Sequence, residues 1–259
     1  DLHKTAGYSF DSYGESESGF FDSAELQERF YRLWEEIARH YGQYSETIVF
    51  ELLNEVTDKS YIDAWNRIAN ECIKRIRTIA ADTVILVGSY DNNSAPAVPA
   101  LTVPYDDKVV YNFHCYEPLI FTHQTAWWVD DMPKDFHINY PGSIDEYMKI
   151  SKTMRGAMHG ALADENVHLT SLGPDFFEEM FRDGIEAAER LDVPLYCGEY
   201  GVIDQAPPED TVRWFNDINT VFKKYGIGRA VWTYKEKDFG IVGEHYDSVR
   251  KELIESIFG

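Results

Sequence analysis

A chain of 259 residues with 44% hydrophobic content is long enough for one large domain, and no apolar run reaches the length of a membrane-spanning helix. Its 24 Lys and Arg stand against 45 Asp and Glu, a net charge of −21. A field of that sign works against nucleic acid and anionic membrane surfaces as partners and leaves neutral or cationic ones. Cys72, Cys115 and Cys197 have neither metal-like spacing nor the even count of a disulfide framework.

The first periodic segment, 23–41, reads SAELQERFYRLWEEIARHY and carries Leu26, Phe30, Leu33, Trp34 and Ile37 at helical spacing, with Ser23 as its cap. A β-branched and apolar strand is predicted over 47–53, then a second amphipathic helix over 60–81 with Trp65, Ile68, Ile73 and Ile76 on one side. Short apolar strands follow at 83–88, 108–115, 194–198 and 229–233, with helices at about 174–191, 209–225 and 246–257. Apolar strands alternating with helices indicate a parallel sheet covered by helices, either doubly wound or closed as a barrel. No Gly-rich phosphate fingerprint follows any strand, which counts against a nucleotide-binding sheet.

The strand ends carry the chemistry. IVFELLNEV at 48–56 reads as a buried strand, yet it delivers Asn54 and Glu55 side by side at its C-terminal end. A later strand ends in His114, Cys115 and Tyr116, the next in Gly198, Glu199 and Tyr200, and the last carries Trp232. One such ending is what any strand leaving the core shows; four together are the pattern of a barrel whose strand ends converge on one face. Two carboxylates on different strands suit a retaining glycosidase, where they stand about 5 to 5.5 Å apart, one protonating the leaving oxygen and the other attacking the anomeric carbon. Such a pair needs unequal surroundings, one keeping a proton and the other staying ionised. Asn54 is placed to bond a sugar 2-hydroxyl, and Tyr116 to donate to Glu199. His114 is placed to bond substrate or a catalytic carboxyl, against the plainer reading of a satisfied core histidine.

The set DLH at 1–3, LNE at 53–55, HCY at 114–116, GEYG at 198–201 and VWTYK at 231–235, with FTHQTAWW at 121–128, resembles family 5 of the glycoside hydrolases, the large cellulase family. The resemblance covers essentially the whole chain. It implies an α/β fold of the TIM-type (β/α)8 barrel family, one catalytic domain over 1–259, retention of configuration, no metal or other cofactor, and secretion. Carried over by position, Glu55 is the acid/base and Glu199 the nucleophile, with Asn54, His3, His114, Tyr116 and Trp232 around them and Trp232 as the floor for a sugar ring. In the family the DLH motif closes the third strand, so an incomplete barrel starting at the end of that strand is expected, and the family's early-strand Arg has no counterpart. A second copy or a complementing N-terminal fragment is then expected to cover the open edge.

The 117–175 segment is too long for an ordinary connection and includes a helical piece near 143–160. Trp127, Trp128, Phe136 and Tyr140 lie there among polar residues; Trp128 is the one best suited to stack on a sugar, and Phe136 and Tyr140 read equally as packing. Lys235, Glu236 and Asp238 read as ligands of a distant sugar or as a solvated charge cluster. The expected activity is endo-β-1,4-glucanase hydrolysis of a polysaccharide or oligosaccharide. Alternatives are a β-1,3-glucanase, mannanase or xyloglucanase, a non-catalytic carbohydrate-binding remnant, and a metal-dependent hydrolase built on His3, His114 and Glu199.

Overall fold

The computed structural model describes residues 1–10, 19–129, 132–154 and 169–259. The chain divides into two compact units, Asp1–His114 with Asp183–Tyr196, and Cys115–Arg182 with Cys197–Gly259. Its parallel sheet has five strands paired in chain order, β3 (Phe50–Glu51), β4 (Ile85–Gly88), β5 (Val109–Cys115), β6 (Leu195–Tyr200) and β7 (Gly228–Val231).

The first unit opens with a hairpin of β1 (Lys4–Thr5) and β2 (Tyr8–Ser9), followed by helix α1 (Ala24–Tyr41). Ser23 caps α1 as expected, its Oγ accepting from Leu26 N at 3.3 Å. Phe30, Tyr31, Trp34 and Ala38 form the buried face, whereas Leu33 is 42% exposed. The expected stripe is thus rotated toward Tyr31 and Ala38, because successive residues turn by about 100° and the face that holds those two leaves Leu33 on the rim.

Strand β3 (Phe50–Glu51) is shorter than the expected 47–53, since only Phe50 and Glu51 stand in ladder register with Ile85 and Leu86 of β4 (Ile85–Gly88). The segment still runs on as an extended chain, with Leu52 N donating to Leu86 O at 3.3 Å. On its other side Leu2 N donates to Glu51 O and Asn54 N donates to Leu2 O, at 3.3 and 3.0 Å. Helix α2 (Ile62–Arg77) buries Trp65, Ile68, Ile73 and Ile76. A 3-10 turn, Lys59–Tyr61, precedes it, capped by Asp58. Two indoles tie helices to strand ends: Trp34 Nε1 donates to Leu52 O at 3.0 Å and Trp65 Nε1 to Gly88 O at 2.9 Å. Strand β5 (Val109–Cys115) lies parallel to β4 from Ile85↔Val109 to Gly88↔Asn112.

The second unit holds helix α3 (Ile144–Ser151), strand β7 (Gly228–Val231), and helices α5 (Pro208–Tyr225) and α6 (Arg250–Phe258). Helix α4 (Pro174–Leu191) and strand β6 (Leu195–Tyr200), like β5, run from one unit into the other. Its core is aromatic: Phe177 packs edge-on to Trp214, Phe181 stacks on Phe222 at 5.6 Å, and Tyr200 touches Trp214, Phe215 and Phe222. The final helix begins at Arg250, later than the expected 246, because Glu244–Tyr246 forms a separate 3-10 turn. The expected helical piece near 143–160 is helical over Ile144–Ser151, and its last part, 155–160, lies outside the described residues. Among the described residues no helix is long and apolar enough to cross a membrane.

Candidate active site

Glu55 leaves the β3 segment buried, at 8% exposure, with both carboxyl oxygens and its carbonyl held. Its Oε1 lies 2.8 Å from His114 Nδ1, and its Oε2 accepts from Asn92 Nδ2 at 2.8 Å. Its backbone carbonyl accepts from Tyr8 Oη at 2.6 Å, and that hydroxyl also accepts from Thr57 N at 2.9 Å. Asn54 is 2% exposed, its carbonyl accepting from Asn93 Nδ2 at 2.6 Å, and its Oδ1 is buried with no hydrogen-bond partner among the described residues. A buried amide oxygen left in that state is a group for a hydroxyl to satisfy.

The loop after β4 makes this grip. Asp91, Asn92 and Asn93 have φ of 54°, 54° and 58°, three left-handed residues in a row, and Asp and Asn are the non-glycine types that tolerate that region. The turn brings Asn92 N to Val56 O at 3.1 Å and aims both Asn side chains at residues 54 and 55. Sequence reasoning passed over Asn92 and Asn93; the signal was present as Asp-Asn-Asn directly behind an apolar strand.

Tyr116 Oη donates to Glu199 Oε2 at 2.8 Å, as expected. Tyr116 is itself clamped: its N donates to Glu117 Oε2 at 3.1 Å, Thr122 Oγ1 donates to its carbonyl, and its ring packs on His123 and Phe239 at 5.4 and 5.5 Å. Burial pushes His123 down to about 4, so its imidazole is neutral near pH 7. Trp128 packs on His123 and Phe239 at 6.0 and 6.1 Å, and Trp127, 81% exposed, meets Trp128 edge-on at 5.6 Å. Trp232 is half-buried, its N donating to Tyr200 O at 2.9 Å, and its peptide bond to Thr233 is cis. Beyond it Lys235 and Glu236 are exposed and paired at 3.7 Å, and Glu236, Lys237 and Asp238 make a second left-handed run that returns the chain to Phe239.

The structure thus joins Asn54, Glu55 and His114 in one set, and Tyr116, Glu199 and Trp128 in another. His3 pairs through Nδ1 with Asp1, and its ring packs edge-on to Phe10 at 5.7 Å. Tyr140 belongs to the core: it is 1% exposed and its Oη donates to Asp217 at 2.8 Å. The three cysteines are free and buried, and burial pushes their thiols well up, away from nucleophilic use.

A parallel α/β sheet with glutamates at the ends of two strands, one held by His and Asn and the other by Tyr, has the character of a glycoside hydrolase. The family model described as Cellulase (glycosyl hydrolase family 5) matches residues 1–238, and the chain belongs to that family. It is 52% identical over 229 residues to cellodextrinase A of Ruminococcus flavefaciens, covering 88% of this chain and 60% of that protein. It is 34% identical over 258 residues to endoglucanase C of Acetivibrio thermocellus, covering 98% of this chain and 72% of that protein. Among solved structures, Thermotoga maritima Cel5A, seen in complex with mannotriose and with cellobiose, superposes with a TM-score of 0.70 at 26% identity, over 92% of this chain and 68% of that one. The cellulose synthase subunit Z of Clostridioides difficile shares the fold, with a TM-score of 0.73 at 23% identity over 93% of this chain and 71% of that one. The fold class is that of the TIM-type (β/α)8 barrel family, with the described parallel sheet contributing five strands.

Proposed function

We propose that this protein hydrolyses β-1,4-glucosidic bonds in a β-glucan or its oligosaccharides with retention of configuration. The observation that carries this reading is the unequal partnering of two strand-end glutamates. Glu199 accepts a hydrogen bond from the Tyr116 phenol, a donor that orients the carboxylate for attack on the anomeric carbon. Glu55 has His114 on one oxygen and Asn92 on the other, which fixes the carboxyl plane while Oε2 keeps a second lone pair for the proton delivered to the leaving oxygen. Asn54 bonds the 2-hydroxyl, Trp232 and Trp128 supply stacking surfaces, and His3, Lys235 and Glu236 contact sugar hydroxyls further out. The glucan preference rests on the cellodextrinase and endoglucanase relatives. The mannotriose complex of Cel5A makes β-mannan the second substrate to test.

Residues 1–259 act in this reading as one catalytic domain, since β5, β6 and α4 each continue across the division between the units. Secretion, so that the enzyme meets polymeric substrate, belongs to the same proposal. The test is hydrolysis of cello-, manno- and laminari-oligosaccharides with the anomer of the first product followed by NMR. Retained β product from cello-oligosaccharides is expected; inverted product would remove the covalent mechanism. Glu199→Gln is expected to abolish turnover. Glu55→Gln is expected to slow glycosylation by about 10²- to 10⁴-fold with natural leaving groups and far less with an activated aryl leaving group. Equal loss on both substrates would remove the acid/base role from Glu55.

A further inference from the structure

Trp127, at 81% exposure, is the most exposed large apolar side chain among the described residues, yet the turn that carries it is firmly held. Gln124 is fully buried; its Nε2 donates to Phe121 O at 2.9 Å and to Ile138 O at 3.3 Å, and its Oε1 accepts from Ile138 N at 3.3 Å. Thr125 then takes a φ of 61°, a left-handed conformation that is an outlier for a β-branched residue, with its Oγ1 donating to Gln124 O at 2.6 Å. Ala126 turns inward at 2% exposure, its N donating to His123 O at 3.1 Å, and Val129 N donates to Ala126 O at 3.2 Å. Strain of this kind persists where the surroundings over-determine it, and it collects at ligand-binding turns. Its effect here is to send Trp127 outward between held neighbours. A single exposed apolar residue needs no explanation. An indole presented by a strained, anchored turn beside a second indole does.

Trp127 adjoins Trp128 at 5.6 Å with the two ring planes 82° apart. One pyranose ring cannot lie flat on two perpendicular faces, so the indoles are separate platforms. Trp128 is half-buried with His123 and Phe239 packed on it, whereas Trp127 keeps most of its surface for a ligand. The occupant that fits is uncharged and has a flat C–H face, because the chain's net charge of −21 repels anions and an aromatic face stacks on apolar surface. A β-glucose ring, its hydroxyls all equatorial, offers such a face on either side.

We propose that Trp127 is a binding residue in its own right, stacking on a glucose ring of the substrate chain other than the ring on Trp128, so that long cello-oligosaccharides are favoured over short ones. This rests on the β-glucan reading of the site. Wild-type kcat/KM is expected to rise from cellotriose to cellohexaose. Trp127→Ala should lower it about tenfold for cellohexaose, mainly through KM, and by no more than about twofold for cellotriose. Trp127→Tyr, which keeps a flat ring, should recover most of the loss, and Trp127→Leu, apolar but not flat, should not. Calorimetric titration of cellohexaose into Glu199→Gln, with and without Trp127→Ala, reads the same contact without turnover; binding about tenfold weaker is expected when the indole is removed. Equal losses on both chain lengths, no loss on either, or full recovery in Trp127→Leu would overturn the proposal. So would a wild-type dimer in sedimentation that Trp127→Ala dissolves, which would give the indole to a contact between copies. If the wild type hydrolyses no cello-oligosaccharide, the glycosidase reading fails, and the titration still decides whether Trp127 binds the chain.

Discussion

His123 illustrates how one residue couples the aromatic wall beside Glu199 to solution conditions. Its ring is enclosed by Tyr116, Trp128 and Phe239, and burial lowers its folded-state value from 6.5 to about 4. The unfolded chain therefore takes up this proton first as pH falls. Stability from this residue is intact above about 6.5 and declines toward pH 4, by at most about 3 kcal/mol. Urea unfolding at pH 7, 5.5 and 4.5 should show that decline in the wild type and a shallower one in His123→Gln; parallel slopes would mean that His123 is not held neutral. At the same scale Tyr116→Phe removes the hydroxyl that donates to Glu199 Oε2 and leaves the ring packing on His123 and Phe239. Its kcat should fall about 10- to 100-fold while its melting temperature stays near that of the wild type, which kinetics and calorimetry check together.

At the scale of elements, the turn behind β4 has to pass close to the strand it leaves. A Cβ on Gly88 would fall 2.2 to 2.5 Å from the Asn93 side chain, which is 1% exposed and pinned to Asn54 O. Gly88→Ala must displace Asn93, at a cost of about 1–3 kcal/mol. Because Asn93 also holds the 54–55 segment, activity should fall with stability. Gly243→Ala, where nothing lies within 4 Å, is the control and should be near neutral. Thermal unfolding and initial rates on the two variants check this, and equal behaviour would show that the turn relaxes freely.

For the whole molecule, Leu33, Tyr41, Tyr44 and Val49 of the first unit are 42%, 50%, 50% and 47% exposed, and Leu2 joins the far edge of the β3 segment through Glu51 O and Asn54 N. We propose that a further strand, from a second copy or an N-terminal fragment, covers that edge. Sedimentation across a concentration range should show association or, with the fragment added, a complex of higher activity; a monomer of full glucanase activity at every concentration would remove the proposal. The sequence by itself determined the alternation of strands and helices, since a period near 3.6 in α2 and continuous apolar runs in β4 and β5 follow from local geometry and burial on both faces. It also singled out the two glutamates as candidates, because several apolar strands closing on polar or aromatic residues form a pattern that a single strand leaving the core does not. Only the tertiary structure decided which groups hold them. Asn92 reaches Glu55 across 37 residues and Tyr116 reaches Glu199 across 83, through a left-handed turn and a clamp of side chains that no periodicity encodes. The placing of Tyr140 in the core and Leu33 on the rim was settled likewise, by a donor–acceptor pair with Asp217 and by the rotation of one helix, both properties of packing between segments distant in the chain.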